Sequence, residues 1–230
     1  MPTLTELLEA GAHFGHKKEK SFPRAKQFIY TIRDSVYVIN LEKTLEQLEK
    51  AVTYLKKEIS AGKTVLFLGT KSQAKEIVKN TALNLHMPYM VERWPGGTLT
   101  NFETIRKSLK TLNNLEEQIK SPEFTKFTKK ERKRIEEKAG KLNLVFEGIK
   151  DLNNLPDVLF VVDTAKELVA VKEARKINIP IIGICDTNAN PDIIDIPIPA
   201  NDDSKNTIKI ILEKIEESLE EKKEIKKEKK

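Results

Sequence analysis

Three groups of residues in this 230-residue chain have the types and spacing to do chemistry. Gly69-Thr70-Lys71-Ser72 follows an apolar run and opens a helical one, the place where an open parallel sheet binds phosphate. It matches neither G-x-x-x-x-G-K-S/T nor G-x-G-x-x-G, and one glycine does not wrap a triphosphate. Lys71 suits a single backbone phosphate of an RNA instead, as a point charge. Asp163, Asp186, Asp192, Asp195, Asp202 and Asp203 gather around the ends of the last strands, where carboxylates can hold magnesium for phosphoryl chemistry. No nucleophile or base is paired with them, and Asp163-Thr164 and Asp186-Thr187-Asn188 serve well as caps and turns, which is the expected role. His13 and His16, three apart around a glycine, are not a recognised zinc spacing. His16 with Asp186 or Asp202 is kept as a candidate for a structural magnesium or zinc ion, and no other cofactor is expected.

The third group is the loop Arg93-Trp94-Pro95-Gly96-Gly97-Thr98-Leu99-Thr100-Asn101. Gly96 and Gly97 expose backbone amides and permit close approach. Arg93, Thr98, Thr100 and Asn101 add donors, and Trp94 is expected to pack over the sheet end rather than stack on a base. A basic arm at 13–33 carries six Lys/Arg, Lys17, Lys18, Arg24 and Lys26 among them, against Glu19 alone. Residues 102–150 carry thirteen Lys/Arg against eight acids, and 151–212 reverse the sign with ten acids against six bases. That dipole points to nucleic acid on one side and leaves Asp192, Asp195 and Asp202 as a protein-partner surface.

The elements that must position these groups can be read from periodicity. Apolar residues at Phe102, Ile105, Leu109, Leu112 and Ile119, and again at Ile135, Ala139, Leu142, Phe146 and Ile149, predict two helices packed as an antiparallel coiled coil. Pro122 stops the first, and Thr128 with Glu131 caps the second. Arms of about 20 residues reach roughly 30 Å. Arg106, Lys107, Lys110, Lys129, Lys130 and Arg132 lie on the outer faces and tip. Around this insertion, 102–149, the apolar runs at 64–68, 89–91, 158–162 and 181–184 alternate with helices, and a proline-bearing edge strand sits at 195–198. Phe28 to Ile32 and Val36 to Ile39 read as two short strands; before them come a helix over 5–10, then His13 to Lys18, then a proline-containing basic loop with Arg24 and Lys26. The predicted class is α/β: a Rossmann- or flavodoxin-like parallel sheet with helices on both faces, built from 1–101 and 150–220. A Lys/Glu tail, 221–230, is expected to fray.

Composition excludes several classes. One cysteine, Cys185, gives no disulfide framework and is expected in the core. No apolar run approaches the roughly 20 residues of a membrane helix, and the N-terminus reads as neither signal nor transit sequence, so a cytoplasmic address is expected. Two rivals stay open on the residues alone. One is a nucleotide-processing enzyme using Lys71, Asp163 and Asp186. The other is a scaffold pairing its coiled coil with a partner helix, against which the outer faces are mostly Lys, Arg and Glu.

An ordered series of motifs adds a resemblance. His13-Phe14-Gly15-His16, Tyr37-Val38-Ile39-Asn40-Leu41-Glu42-Lys43-Thr44, Leu68-Gly69-Thr70-Lys71, Arg93 to Asn101, Gly148-Ile149-Lys150, Leu155-Pro156-Asp157, Asp186-Thr187-Asn188 and Ile198-Pro199-Ala200-Asn201-Asp202-Asp203 resemble the bacterial-type S-two protein of the small ribosomal subunit. The match runs over roughly 4–212; Pro95 and Ala200 depart mildly from the pattern, and the tail matches nothing in it. The resemblance implies a Rossmann-like domain with a helical hairpin and no catalysis. It implies binding to small-subunit ribosomal RNA on the head–body boundary, a late step in subunit assembly, and help in docking the messenger-binding S-one protein.

Overall fold

Strands without a polar residue have no face to give to water, so they must lie between two layers of helix. The computed structural model describes residues 1–227, with side chains through Leu219, and it builds such layers. A capping box of Thr3 and Glu6 opens α1 (Leu4–Glu9). β1 (Phe14–Lys17), β2 (Ile29–Arg33) and β3 (Val36–Ile39) form a small antiparallel sheet in the order β1-β3-β2. Asp34 and Ser35, both at positive φ, make its two-residue turn. Phe14–Lys17 gives no element from its sequence, for it has no alternating pattern of its own; it is held as a strand by β3, with an irregular register between Phe14 and Lys17.

Asn40 then caps α2 (Leu41–Ser60), its side chain accepting the amides of Glu42 and Lys43. β4 (Val65–Leu68), α3 (Lys75–Leu85) and β5 (Tyr89–Met90) follow. α4 (Phe102–Lys120) runs to a 3₁₀ turn at Pro122–Lys126, and α5 (Lys129–Phe146) returns from it behind the expected Thr128–Glu131 capping box. β6 (Val158–Val162), α6 (Leu168–Lys176), β7 (Ile181–Cys185), β8 (Ile196–Pro199) and α7 (Lys205–Lys227) complete the chain. The fraying expected for 221–230 concerns side chains and residues outside those described.

The five long-range strands lie in the order β5-β4-β6-β7-β8, every neighbouring pair parallel. β8 takes the edge, where Pro197 and Pro199 cost no ladder bond to a further strand. Alternate residues divide between the faces. Phe67, Phe160 and Ile182 pack with Leu48 and Leu55 of α2, Val78 of α3 and Leu212 of α7. Leu66, Leu68, Leu159 and Val161 pack on the other face with Val171 of α6 and with Ile105, Leu109, Leu112 and Phe146 of the two hairpin helices. The inner turns of α4 and α5 therefore belong to the core on this face, and the buried positions stop at Leu112 and Ala139. Gly148 explains how the return fits: a Cβ there would lie 2.2 Å from the Tyr89 carbonyl oxygen. The chain leaves β4 for one edge and returns to β6 on its other side, so the order reverses between β4 and β6, and ligand sites of such sheets form at that switch point.

Candidate functional site

At the switch point the structure holds a closed set of charges. Lys71 Nζ lies 2.6 Å from Asp202 Oδ1, 2.7 Å from Asp203 Oδ1 and 3.1 Å from Asp163 Oδ2. Its side chain is 14% exposed and that of Asp202 has no exposed surface. Burial alone would discharge Lys71, but the hydrogen bonds and charges of Asp202 and Asp203, with Asp163 behind them, hold its pKa above that of an ordinary lysine. Burial, then the charges of Asp163 and Asp186, push the Asp202 carboxyl up to about 7 against the pull of Lys71. Thr70 donates its amide (3.2 Å) and its hydroxyl to buried Glu167 Oε1, just ahead of α6. Asp163, at φ +66, accepts the Lys166 amide at 2.9 Å, the turn-forming role expected of it. The position where an α/β enzyme receives a phosphate is thus filled by the chain's own carboxylates. Lys71, proposed from sequence as a phosphate contact, has three of them on its ammonium and does not join the basic residues.

Beside this cluster β1 crosses the end of β7. His16 donates its amide to Thr187 Oγ1 (2.8 Å), and Phe22 donates its amide to the Thr187 carbonyl (2.7 Å). Gly15 is what lets the strands meet, since a Cβ there would be 2.6 Å from Thr187 Cγ2. His16 Nδ1 lies 3.1 Å from Asp186 Oδ1, and Nε2 lies 3.8 Å from Asp203 Oδ2. The close approach of the Asp186 carboxylate outweighs burial and raises the His16 pKa. Nδ1 is nonetheless not aligned as a hydrogen bond, and Asp202 Oδ2 has no partner either. Ligand atoms of His16, Asp186 and Asp203 fall within 4.8 Å of one another, a spacing that could seat a cation. Asp203, not Asp202, is the third member.

The acidic surface expected from sequence does not form. Asp202 is buried on Lys71. Asp195 sits at the opposite end of the sheet, accepting the Ile181 amide (2.8 Å) and pairing with Arg175 (3.0 Å). Asp192 is exposed and 3.4 Å from Arg24 of the basic arm. One run of acids in sequence is split because β8 runs from one end of the sheet's strands to the other between Asp195 and Asp202.

The basic residues are placed otherwise. Lys17, Lys18 and Lys26 are exposed beside Arg24. Arg106, Lys107 and Lys110 line a groove of about 560 Å³ with Asn113, Asn114 and Lys150, and with Glu103 and Glu117. Lys129 and Lys130 are exposed on the first turn of α5, and Arg132 is half-buried there with its Nε enclosed and unpartnered. The hairpin cations that do form ion pairs are Lys126 with Glu123, Lys133 with Glu137 and Lys150 with Glu116. Among the described residues Arg106, Lys107, Lys110, Lys129, Lys130 and Arg132 form none. In the Arg93–Asn101 loop, Arg93, Gly96, Thr100 and Asn101 reach solvent, but Thr98 is buried with its hydroxyl on the Pro95 carbonyl (2.6 Å). Trp94, the Gly97 amide and Thr100 turn inward to Glu173. Neither Glu167 nor Glu173 was singled out from sequence; in Lys166-Glu167 and Lys172-Glu173 each reads as a surface acid beside a lysine.

A family model described as "Ribosomal protein S2" matches residues 7–222. The chain belongs to the ribosomal protein S2 family. The chain is 46% identical over 218 residues to "Small ribosomal subunit protein uS2" of Coprothermobacter proteolyticus, covering 93% of this chain and 80% of that one. It is 43% identical over 220 residues to the protein of the same name from Dehalococcoides mccartyi, covering 95% and 90%. S2-family proteins are structural and non-enzymatic, which agrees with a switch point already filled. The resemblance carried by the ordered motifs and the fold class implied by the alternating strands both hold.

Proposed function

We propose that this S2-family chain is a structural constituent of the small ribosomal subunit in the cytoplasm, and that it binds small-subunit ribosomal RNA through its basic arm and its hairpin. The observation that carries the reading is the set Arg106, Lys107, Lys110, Lys129 and Lys130, exposed, with half-buried Arg132, none of them in an ion pair among the described residues, on two helices whose inner turns are locked into the core. Rigid cations at fixed spacing suit a folded polyanion, whose backbone dominates affinity and whose A-form grooves offer shape rather than sequence. Lys17, Lys18, Lys26, Arg93, Gly96 and Asn101 extend this contact, while Lys71, Gly97 and Thr98 support it from inside. Neighbouring small-subunit proteins, the messenger-binding S-one protein among them, dock on the exposed surface the RNA leaves free. His16, Asp186 and Asp203 are the residues that would hold a structural cation, and metal analysis of the purified chain is the test.

Salt dependence tests the RNA reading. Each phosphate contact on a duplex contributes about 0.9 to the slope of log K against log salt. Replacing Lys129, Lys130 and Arg132 together with glutamine lowers the slope by roughly 2–3 units if all three contact phosphate. An unchanged slope removes the hairpin tip from the interface.

A further inference from the structure

The Arg93–Asn101 loop closes on one carboxylate. Glu173 of α6 is buried under the loop, and each of its oxygens is claimed. Oε1 accepts the Gly97 amide at 2.7 Å and the Trp94 indole N–H at 3.2 Å. Oε2 accepts the Leu99 amide at 3.0 Å, the Thr100 amide at 3.2 Å and the Thr100 hydroxyl at 3.3 Å. Gly97, at φ +87, turns the backbone so that its neighbours' amides converge. Converging backbone amides of this kind usually bind an external anion, phosphate above all. Here the anion is part of the chain. An RNA phosphate cannot share the amides, because it would meet Glu173.

The loop leads straight into α4. The Asn101 amide donates to the Gly97 carbonyl at 2.8 Å, and Thr104 donates its hydroxyl to Asn101 Oδ1 at 2.9 Å. Whatever fixes Gly97 to Thr100 therefore fixes the first turn of the helix that presents Arg106, Lys107 and Lys110. It also fixes Arg93, at the loop's other end, which is exposed.

We propose that Glu173 is a positioning residue for the RNA interface: its carboxylate stands in for an external anion and holds the Arg93–Asn101 loop in its RNA-binding shape before RNA arrives. The proposal rests on the RNA-binding reading above. It assigns a buried acid a favourable role in binding a polyanion, which charge alone would not suggest. Preorganisation supplies the mechanism, since a loop already ordered costs nothing further to order on binding.

The test uses the full chain and a transcript of small-subunit ribosomal RNA. Glutamine at 173 has one acceptor oxygen and sets an NH₂ group against the remaining N–H donors. In Glu173→Gln the amides of Gly97, Leu99 and Thr100 are expected to exchange hydrogen about tenfold faster or more, with β6 and β7 unchanged, because the bonds to one oxygen are lost and those to the other lose their charge assistance. RNA affinity falls about tenfold while the salt slope stays that of the wild type, since no cation is removed. Glu173→Asp, which keeps the charge, recovers part of both. Should Glu173→Gln fail to fold, Trp94→Phe removes a single donor and shifts exchange and affinity in the same directions by less. Tighter RNA binding by Glu173→Gln overturns the proposal, for it would make Glu173 a repulsive charge and nothing more. So does faster exchange with wild-type affinity. In either case the triple variant of Lys129, Lys130 and Arg132 still reports separately on whether the protein binds RNA.

Discussion

Replacing Lys71 with methionine keeps the side chain's unbranched stem and removes its ammonium, one charge from a buried set. It strands Asp202, fully buried, against Asp163, 8% exposed, with Asp203 beside them. Removing one partner of a buried ion pair costs about 3–5 kcal/mol, most of it the penalty of the charge left behind. In a chain of this length each kcal/mol lowers Tm by about 2–4 °C, so the fall is roughly 6–20 °C near neutral pH. Acid should shrink it. The Asp202 carboxyl is raised to about 7 on folding. A carboxyl raised in this way stabilises the fold while protonated, fully below its ordinary range, and that contribution is lost as pH rises through about 7. Without Lys71 its protonated form is favoured further, so the difference from wild type is larger at pH 8 than at pH 5. Adding Asp202→Asn removes a stranded charge and recovers part of the loss, a coupling that a double-mutant cycle measures directly. Lys205→Met serves as the control. Its pair with Glu76 is exposed on both sides and is worth at most about 0.5 kcal/mol. Thermal unfolding of the four variants at both pH values is the assay. A Lys71→Met protein melting within about 2 °C of wild type at pH 8 would refute the claim that this cluster is held together by its lysine.

Other perturbations follow from the same packing. Gly148→Ala drives a Cβ into the Tyr89 carbonyl and should cost about 1–3 kcal/mol, seen as a lower urea midpoint with m unchanged. Leu112→Ala empties a fully buried position where α4 meets the sheet and should cost about 2–5 kcal/mol, whereas Ile119→Ala, half-buried further out, should cost clearly less. Equal losses would mean that the outer hairpin is packed as firmly as its base. At Glu173 burial raises the pKa, but the amides of Gly97, Leu99 and Thr100 and the Trp94 indole lower it by more. The loop's stabilisation is therefore complete above the ordinary carboxylate range and fades as pH falls through the lowered pKa. The exchange difference between wild type and Glu173→Gln should close in acid.

What could be read in the sequence and what could not divides along physical lines. α2 and the two hairpin helices announce themselves, because their apolar stripes, Asn40 and the Thr128–Glu131 box are local signals. The buried strands do so by being apolar throughout. β1 does not, since Phe14-Gly15-His16-Lys17 is a strand only by virtue of β3 beside it. Lys71 reads as a phosphate contact because a lysine after a strand usually is free; its three carboxylates arrive from the loops after β6 and β8, more than 90 residues away by the numbering. Glu173 carries no local mark at all. Its role exists only where α6 passes under a loop some 75 residues earlier, as the separation of 74 between it and Leu99 shows.

The most direct test of the account is sedimentation of the tagged chain in cell lysate through sucrose gradients at low and at high magnesium. Co-migration with the small ribosomal subunit, and accumulation of unfinished or translation-poor subunits when the chain is depleted, is the expected result. Migration as a small free species at both magnesium concentrations would contradict it.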